Sequence, residues 1–590
     1  MAAAGLEQTP WLVFNHSEGV GCDVAARLRA TGDVVVEVQR GSASGWQRPD
    51  LYVLDPLAGA PGYERLVEAL QSEGKLPQRI GHFWPLEVTE ADSFDQRMPL
   101  AFHSLFFLLK SLGDLDALDG VHLVSFTRGA RQVTDESVPY PEQAMVDGPC
   151  RSVPREVFGF TSVTLDCDPA TESSSQLTRQ ALAELRGRAV NASAALRIGV
   201  RYELSYLPVY LRGHRELPAS TDGVYLITGG LGGIGLSVAE FLARRGQVKL
   251  ILASRSGLPD HETWDNLLAR EEAPSRTLRS IRAVRRLEEL GAEVSVVALD
   301  VTDDAAVRDA VGRIESSIGE IKGVVHAAGI VDDALLPMKT LESVERVLAA
   351  KLRGTLALDA AFAQRPLDFF VLCSSSSTVL TPSGQVDYVA ANAFLNAFAC
   401  ARSIAKGERT VALNWGVWSD VGMAAEATRE ESEGEPSLID HPVLREQVVI
   451  DGGWEFSFTV SPESDWLLNG HRLQDGQALL PGTSFVDLAR TALAQIVGER
   501  PCVLSDVSFS RAFSVPDDSI VRGRVRLQGE ADTWAFSIQS WRQGSDGKYG
   551  WLTHAEGALS SSTDEAPQLA VSTSELRARC KGRSVADENG

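Results

Sequence analysis

Lys351, Ser375, Tyr388 and Asn392 are residue types that, in this order along a chain, could serve the reduction of a carbonyl. Hydride delivery to a ketone leaves negative charge on oxygen, so such a site needs a positioned proton donor and hydrogen bonds to that oxygen. Tyr388 can supply the proton. A free phenol titrates near ~10, and a neighbouring ammonium makes it the stronger acid; Lys351 is the candidate. The segment SSSSTVLTPSGQVDYVAANAFLNAFA puts Ser375 at the end of a strand-like run and Tyr388 thirteen residues later. Asn392 follows one helical turn beyond Tyr388, on the same face. Each residue also has a plain structural reading: a strand cap, a surface charge, a core aromatic, a polar helix residue. The combination on the expected elements is what favours chemistry.

A second constellation precedes it. VYLITGGLGGIG at 224–235 is an apolar strand running into glycines at 229, 230, 232, 233 and 235, directly before the helical pattern LSVAEFLARRG. Glycines let a backbone turn tightly and approach a pyrophosphate, and the helix N-terminus offers free N–H donors and partial positive charge. Taken alone the string could be a flexible turn. The next strand, however, ends at Ser254-Arg255, where a dinucleotide fold meets the adenosine ribose. An acidic residue there favours NAD, whereas Arg255 favours a 2′-phosphate and hence NADPH, unless it is a solvated surface arginine. Asp300, ending VSVVALD, falls beside the adenine or forms a structural turn.

The elements that must position these residues form an α/β series: VYLITGG, VKLILASR, VSVVALDV, KGVVHAAG, FFVLCSSS and TVALNWG, separated by helical pattern. That is the pattern of a doubly wound parallel sheet. Before it, WLVF, DVVVEVQ, LYVLDP and VHLVSFTRGA alternate with helical stretches such as FHSLFFLLKSL, which predicts another α/β layer. Its Gly19 and Gly21 do not complete a nucleotide-binding pattern. After Met423 the composition turns acidic and loop-like, as a linker does. From His441 the pattern is strand-rich around one apolar helix, SFVDLARTALAQIV, with Phe485, Leu488, Ala489, Ala492, Leu493 and Ile496 at helical spacing.

The totals agree with several soluble domains. The chain has 590 residues, 44% apolar and 23% charged, and a chain this long is expected to divide into three or four units at roughly 100–200 residues each. A net charge of −23 disfavours nucleic acid and anionic membranes as partners. No segment approaches the ~18 uninterrupted apolar residues of a membrane span, and the N-terminus carries no basic-then-apolar signal, so the cytoplasm is expected. The seven cysteines, Cys22, Cys150, Cys167, Cys373, Cys400, Cys502 and Cys580, form no CxxC pair, which argues against a metal cluster or disulfide framework.

TGGLGGIG at 228–235, HAAG at 326–329, Ser375, YVAAN at 388–392 and NWG at 414–416 together resemble the short-chain dehydrogenase/reductase superfamily. More narrowly, they are similar to ketoreductase domains of modular (type I) polyketide synthases. The wider superfamily places lysine four residues after the tyrosine. These ketoreductases place asparagine there and take the lysine from the preceding helix, as Asn392 and Lys351 in AAKLRGTLAL do. The resemblance implies that Tyr388 protonates the carbonyl oxygen, Ser375 hydrogen-bonds it, Lys351 lowers the tyrosine pKa and holds the nicotinamide ribose, and Asn392 orders a proton-relay water. It implies NADPH contacts from Thr228, Gly229, Gly230, Leu231, Gly232, Gly233, Ile234, Gly235, Ser254, Arg255, Asp300, Val301, Ala327, Ala328 and Gly329.

On the same resemblance, 1–218 is a degenerate Rossmann-like structural subdomain and 219–424 the catalytic subdomain, with a linker at 425–440. The segment at about 261–280 looks like an insertion without an assigned role. Members with an LDD motif after HAAG form the D-configured alcohol, and Val331-Asp332-Asp333 stands there. The opposite class carries tryptophan eight residues before the tyrosine, where this chain has Leu380.

Residues 441–590, with HPVLREQVV and DWLLNGHRLQDGQALLPGTSFVDLA, resemble the N-terminal half of a dehydratase, a double hot-dog fold, and His471 matches its catalytic base. Four residues rather than three separate His471 from Gly476, while Pro481 keeps its distance from that glycine, and LRARCKGRSVADENG resembles the connector to the second half. A structural role for His471 in this chain is therefore expected beside the catalytic one. The expected substrate is a β-ketoacyl chain on an acyl carrier protein, with other synthase domains as partners. The alternatives are a free-standing short-chain ketone reductase and a non-catalytic scaffold region.

Overall fold

The computed structural model describes residues 10–561 except 90, 169–173, 188–189, 208–221, 271–274, 417, 419–436, 440–442, 451, 463–467, 469, 473–477, 499, 518, 531–532 and 544–548, and the elements and contacts given are those of the described residues. Gly476, Cys580, most of the expected linker and the expected C-terminal connector lie outside them. The chain divides into two compact units, Met1–Glu426 and Ala427–Gly590.

In the first unit, β1 (Trp11–Asn15), β2 (Val35–Arg40), β3 (Gly45–Arg48), β4 (Leu51–Leu54), β5 (Arg79–His82), β6 (His122–Arg128), β7 (Thr161–Cys167), β8 (Ala192–Arg197) and β9 (Val200–Glu203) form a sheet in the order β3-β4-β2-β1-β5-β6-β7-β8-β9. The inner strands are parallel, and β3 and β9 run antiparallel at the edges. Parallel strands are covered on both faces and so read as unbroken apolar runs; β1, WLVFN, is buried along its whole length. At its end the turn toward a helix is filled rather than open. A Cβ on Gly21 would lie 2.6 Å from the Cβ of Asn15 and 3.1 Å from Phe83.

A second sheet follows, of β10 (Val224–Thr228), β11 (Lys249–Ser254), β12 (Glu293–Ala298), β13 (Ile321–His326), β14 (Phe369–Ser375) and β15 (Thr410–Trp415). Its order, β12-β11-β10-β13-β14-β15, all parallel, is that of a doubly wound dinucleotide fold. Each of the six apolar runs read from the sequence is one of these strands. The register aligns their carboxyl ends, with Thr228 paired to Ala253 and His326, and Ser375 to Trp415. Ligands in open parallel sheets bind beyond those ends, next to the strand where the order reverses.

One hydrophobic cluster runs through both sheets of this unit, joining Leu12, Phe14 and Phe106 to Leu226, Val324, Phe370 and Phe394. The helix Asp147–Glu156, from the first half, lies against Val386–Lys406, from the second. The approach is close enough to require glycine, since a Cβ on Gly148 would sit 2.2 Å from the Val386 carbonyl oxygen. Thus the first half braces the helix that carries Tyr388.

The expected insertion at about 261–280 holds a short turn, His261–Thr263, the helix Trp264–Arg270 and the start of the helix Ser275–Glu289. Trp264 anchors it, buried in the core with its indole N–H donating to the Pro259 carbonyl at 2.8 Å.

In the second unit, β16 (Ser437–Leu438), β17 (Leu444–Ile450), β18 (Gly453–Val460), β20 (Cys502–Phe509), β22 (Val521–Glu530), β23 (Thr533–Gln543) and β24 (Tyr549–Ser561) form an antiparallel sheet in the order β16-β17-β18-β22-β23-β24-β20. A ribbon of β19 (Ala478–Leu480) and β21 (Phe513–Val515) accompanies it. The sheet wraps the helix Gly482–Val497, whose Phe485, Leu488, Ala489, Ala492 and Leu493 are buried, with Ile496 at the margin. The expected linker is corrected at its end: Ser437–Leu438 pair with β17, and Ile439 packs on the core of this unit. The acidic tract stops at Glu435, and the apolar residues that follow can join a sheet. No described helix is long and apolar enough to cross a membrane.

Candidate active site

At the carboxyl ends of β10 to β13 the first unit opens into a cleft of about 410 Å³. Its walls include Gly229, Leu231, Gly232, Gly233, Ile234 and Gly235 from the glycine turn, and Ser254 and Arg255 from the end of β11. Asp300 and Val301 beyond β12, and Ala327, Ala328 and Gly329 beyond β13, complete the sequence-predicted set on this surface. The turn is sterically committed. Gly229 has φ +64°, and a Cβ there would stand 2.7 Å from the Ala327 carbonyl. A Cβ on Gly235 would lie 2.4 Å from the Gly229 oxygen. Only bare backbone lets the helix Gly233–Ala243 begin so close to the strand end.

Two of the predicted contacts stand behind the cleft instead. Thr228 is fully buried, with its hydroxyl 2.6 Å from His326 Nδ1, and Gly230 is packed on Leu252 and the Ile227 carbonyl. They shape the turn from beneath. The His326 ring also meets the Ala350 carbonyl at 3.1 Å, and burial, helped by the Lys351 charge, pulls its pKa to about 3. It is therefore a neutral brace between β10, β13 and the lysine helix. Asp300 accepts from the N–H and hydroxyl of Thr302 at 2.9 and 2.8 Å, which lowers its carboxyl pKa and keeps it ionised.

Sequence reasoning missed other walls of the cleft. Arg276, Thr277 and Ser280 come from the first turns of the helix Ser275–Glu289, at the end of the expected insertion, and Arg346 from the helix Leu341–Ala361. The helix Ser275–Glu289 reads from its pattern only as an amphipathic element with Leu278, Ile281, Val284 and Leu287 turned inward. The pattern carries no mark for what its first turn faces.

The four expected catalytic residues converge beside this cleft. Ser375 ends β14; Tyr388 and Asn392 share the helix Val386–Lys406; Lys351 lies on Leu341–Ala361. The Tyr388 phenol is raised in pKa by burial, opposed by hydrogen bonds from the side chains of Ser375 and Asn392. Asn392 donates from Nδ2 to the Tyr388 carbonyl at 2.7 Å, while its buried Oδ1 has no hydrogen-bond partner. A buried polar atom left this way is suited to a water or ligand hydroxyl. Lys351 is buried, its Nζ 2.9 Å from the Cys373 carbonyl and 5.5 Å from the centre of the Tyr388 ring. A Cβ on Gly329 would meet Lys351 Cε at 3.0 Å, so the lysine runs directly beside the cleft wall.

The charge of Lys351 is itself set by its surroundings. Burial brings its own pKa down to about 8, and the carbonyl of Cys373 takes its hydrogen bond. The phenol stays above its ordinary value, with Ser375 as the strongest opposing influence.

Around the tyrosine two loops are tied down from the first half of the unit. Glu156 accepts from the N–H groups of Leu336 and Gly384, both at 2.7 Å, and Arg151 donates to the Thr378 carbonyl at 2.6 Å. In the Val331-Asp332-Asp333 stretch, Asp332 bonds Ser343 and Arg346, and Asp333 accepts from Gln385 at 2.8 Å. Leu380 is exposed.

His471 belongs to the second unit, on an exposed turn before β19; its N–H donates to the Leu468 carbonyl at 3.2 Å, and its carbonyl accepts from Leu479 at 2.8 Å.

The strand order, the glycine turn and the cluster at the strand ends define a Rossmann-type reductase domain. Residues 223–420 match the family model for the KR domain and 441–541 that for the polyketide synthase dehydratase domain, while 10–184 match a model described as beta-ketoacyl synthase-like, N-terminal. The chain therefore carries a polyketide synthase KR domain followed by the N-terminal part of a dehydratase domain. Over 205 residues it is 44% identical to a 6-methylsalicylic acid synthase of Aspergillus terreus, a match that covers 35% of this chain and 11% of the relative. Over 211 residues it is 35% identical to the mellein synthase of Phaeosphaeria nodorum, covering 36% of this chain and 11% of the relative. The matched region is thus about a tenth of the length of either synthase. A solved N-terminal ketoreductase from the macrolactin assembly line superposes with a TM-score of 0.57 at 26% identity, over 72% of this chain and 82% of that one.

Proposed function

We propose that the first unit is an NADPH-dependent ketoreductase that converts a β-ketoacyl group on an acyl carrier protein to a D-β-hydroxyacyl group during polyketide synthesis. The observation that carries this reading is the buried Tyr388 phenol, whose pKa the Ser375 side chain draws down against burial, with the Lys351 ammonium 5.5 Å from its ring and the lysine stem against the cleft wall at Gly329.

The donor set fits a phosphorylated dinucleotide. The Gly229–Gly235 turn and the N-terminus of its helix would take the pyrophosphate, Ser254 and Arg255 the adenosine ribose and its 2′-phosphate, and Asp300 and Val301 the adenine side. Lys351 would take the nicotinamide ribose, and Ala327, Ala328 and Gly329 would line its path. When bound, the cofactor supplies the hydride. The chain supplies the rest: Ser375 holds the carbonyl oxygen, Tyr388 gives it a proton from its hydroxyl, and the free Oδ1 of Asn392 holds the water through which that proton is replaced.

The predicted hand rests on the Val331-Asp332-Asp333 stretch, held beside the tyrosine helix through Asp333 and Gln385, and on Leu380 in place of tryptophan. The dehydratase segment, half of a double hot dog, is read as inactive alone. Reduction of a carrier-bound β-ketoacyl thioester, followed by chiral chromatography of the released acid, tests the reading. Mainly D-alcohol is expected. Mainly L-alcohol refutes the hand, and no reduction with NADPH refutes the function.

A further inference from the structure

Lys339 and Asp387 form an ion pair with no exposed side-chain surface on the lysine and 1% on the aspartate, Nζ to Oδ2 2.6 Å. Neither residue belongs to the reductase constellation. A pair this deep is a poor choice for stability alone. Desolvating two charges costs about as much as their attraction returns, and well-packed apolar residues of similar volume often hold a fold as well or better. Such a pair can instead specify an arrangement, and here that arrangement can be traced bond by bond.

Lys339 stands at the C-terminal foot of the loop that begins with Val331-Asp332-Asp333. Its Nζ also donates to the Asp332 carbonyl at the other foot, closing the loop on itself. The Asp387 carboxylate, bound to the lysine through Oδ2, accepts from the backbone N–H of Tyr388 through Oδ1 at 2.9 Å. One continuous strut thus joins both feet of the loop to the main chain of the tyrosine. The burial that raises the Asp387 carboxyl pKa is the environment in which losing the lysine would be most disruptive. On the crown Leu335 and Met338 are exposed while Leu336 between them is buried with its N–H held by Glu156, so the strut fixes the two feet of a loop whose crown is held from the first half of the unit.

Resting on the ketoreductase reading, we propose that Lys339 and Asp387 are positioning residues: their buried strut fixes the 331–338 loop against the first turn of the tyrosine helix, and so sets which face of the substrate carbonyl meets Tyr388. The bound substrate would lie between a wall made by the loop and a proton donor on the helix. A shift of the wall relative to the donor changes the presented face while the glycine turn and the Ser254-Arg255 end of β11 stay in place.

The test uses the full chain, a β-ketoacyl thioester and NADPH, with Lys339→Met, Asp387→Asn, the double variant Lys339→Met/Asp387→Leu, and Lys339→Arg. Four quantities are measured: product enantiomer ratio, kcat and KM separately, melting temperature, and NADPH affinity by fluorescence. The proposal expects the single variants to lose about tenfold or more in kcat, to give a mixture of hands, and to keep NADPH affinity. Lys339→Arg, which retains the charge, should restore much of the hand. The double variant removes both charges together and should recover the wild-type melting temperature without recovering product ratio or kcat. If it recovers all of these, the pair is packing only and the proposal is overturned. If the single variants do not fold, the double variant decides alone. A wild-type chain that reduces nothing overturns the function itself, an outcome visible before any variant is compared.

Discussion

Lys351 holds its ammonium 5.5 Å from the centre of the Tyr388 ring and donates a hydrogen bond to the Cys373 carbonyl at 2.9 Å. The lysine is thus locked to the strand that ends in Ser375, and its position is set by backbone. A short step in β14 or in the lysine helix would move phenol and ammonium apart, which makes the strand register part of the geometry on which the proposed reaction depends.

Burial brings Lys351 to a pKa of about 8, against an ordinary 10.5. Between those values the unfolded chain holds a proton that the folded chain does not, so this group makes stability rise with pH through that window. Below about 8 the buried cation carries its full cost. Lys351→Met removes the pH-dependent part. Melting temperatures from pH 7 to 10 should show the variant gaining relative to wild type at the low end and losing that advantage as pH rises. A constant difference would contradict a buried, depressed lysine.

Gly229→Ala tests the turn. The φ of +64° and the backbone atoms 2.7 Å from the built Cβ leave no way to relax except by moving β13 or the turn itself. Strain of this kind costs about 1–3 kcal/mol. A lower urea midpoint and a weakened fluorescence titration with NADPH are expected together.

Arg255→Ala tests the cofactor phosphate. A hydrogen bond to a charged group is worth about 1.5–3 kcal/mol, so NADPH affinity should fall roughly ten- to hundredfold while NADH affinity hardly changes. The ratio of the two dissociation constants reads it directly, and an unchanged ratio would remove Arg255 from the phosphate.

The scaffold half has its own keystone. Arg197 is 3% exposed and bonds Asp166 and Glu136 at 2.7 and 2.6 Å. Leaving a buried carboxylate alone costs about 3–5 kcal/mol, so Arg197→Met should unfold at markedly lower urea. Although burial opposes it, hydrogen bonding from Thr134 and Arg197 holds the Glu136 carboxyl at about 2, below its ordinary 4.5. Its contribution is therefore complete above about 4.5 and lost as pH falls toward 2. Acid melts of wild type and Glu136→Gln should converge across that range.

The catalytic sheet was legible because parallel strands buried on both faces appear as short apolar runs, and VYLIT, LILAS and FFVLCSS needed no tertiary information. That Ser375, Tyr388 and Asn392 lie at a strand end and on one helix followed because strand end, helix turn and spacing are local properties. The charge state of Lys351 was less legible, since its pKa depends on burial and on the Cys373 side chain twenty-two residues away. Arg276, Thr277 and Ser280 escaped because helical periodicity reports the buried face of Ser275–Glu289 and is silent on what its exposed turn faces. Lys339 and Asp387 gave no signal at all. Charged residues between exposed Met338 and Thr340, and at the start of a helix, read as solvated until the fold brings them together.

NADPH consumption with a β-ketoacyl thioester, compared between wild type and Tyr388→Phe, tests the central claim most directly. Loss of a general acid is expected to slow turnover about 10²–10⁴-fold, with NADPH still bound, since Tyr388 is absent from the walls of the dinucleotide cleft. A Tyr388→Phe chain that oxidises NADPH at the wild-type rate would contradict the account.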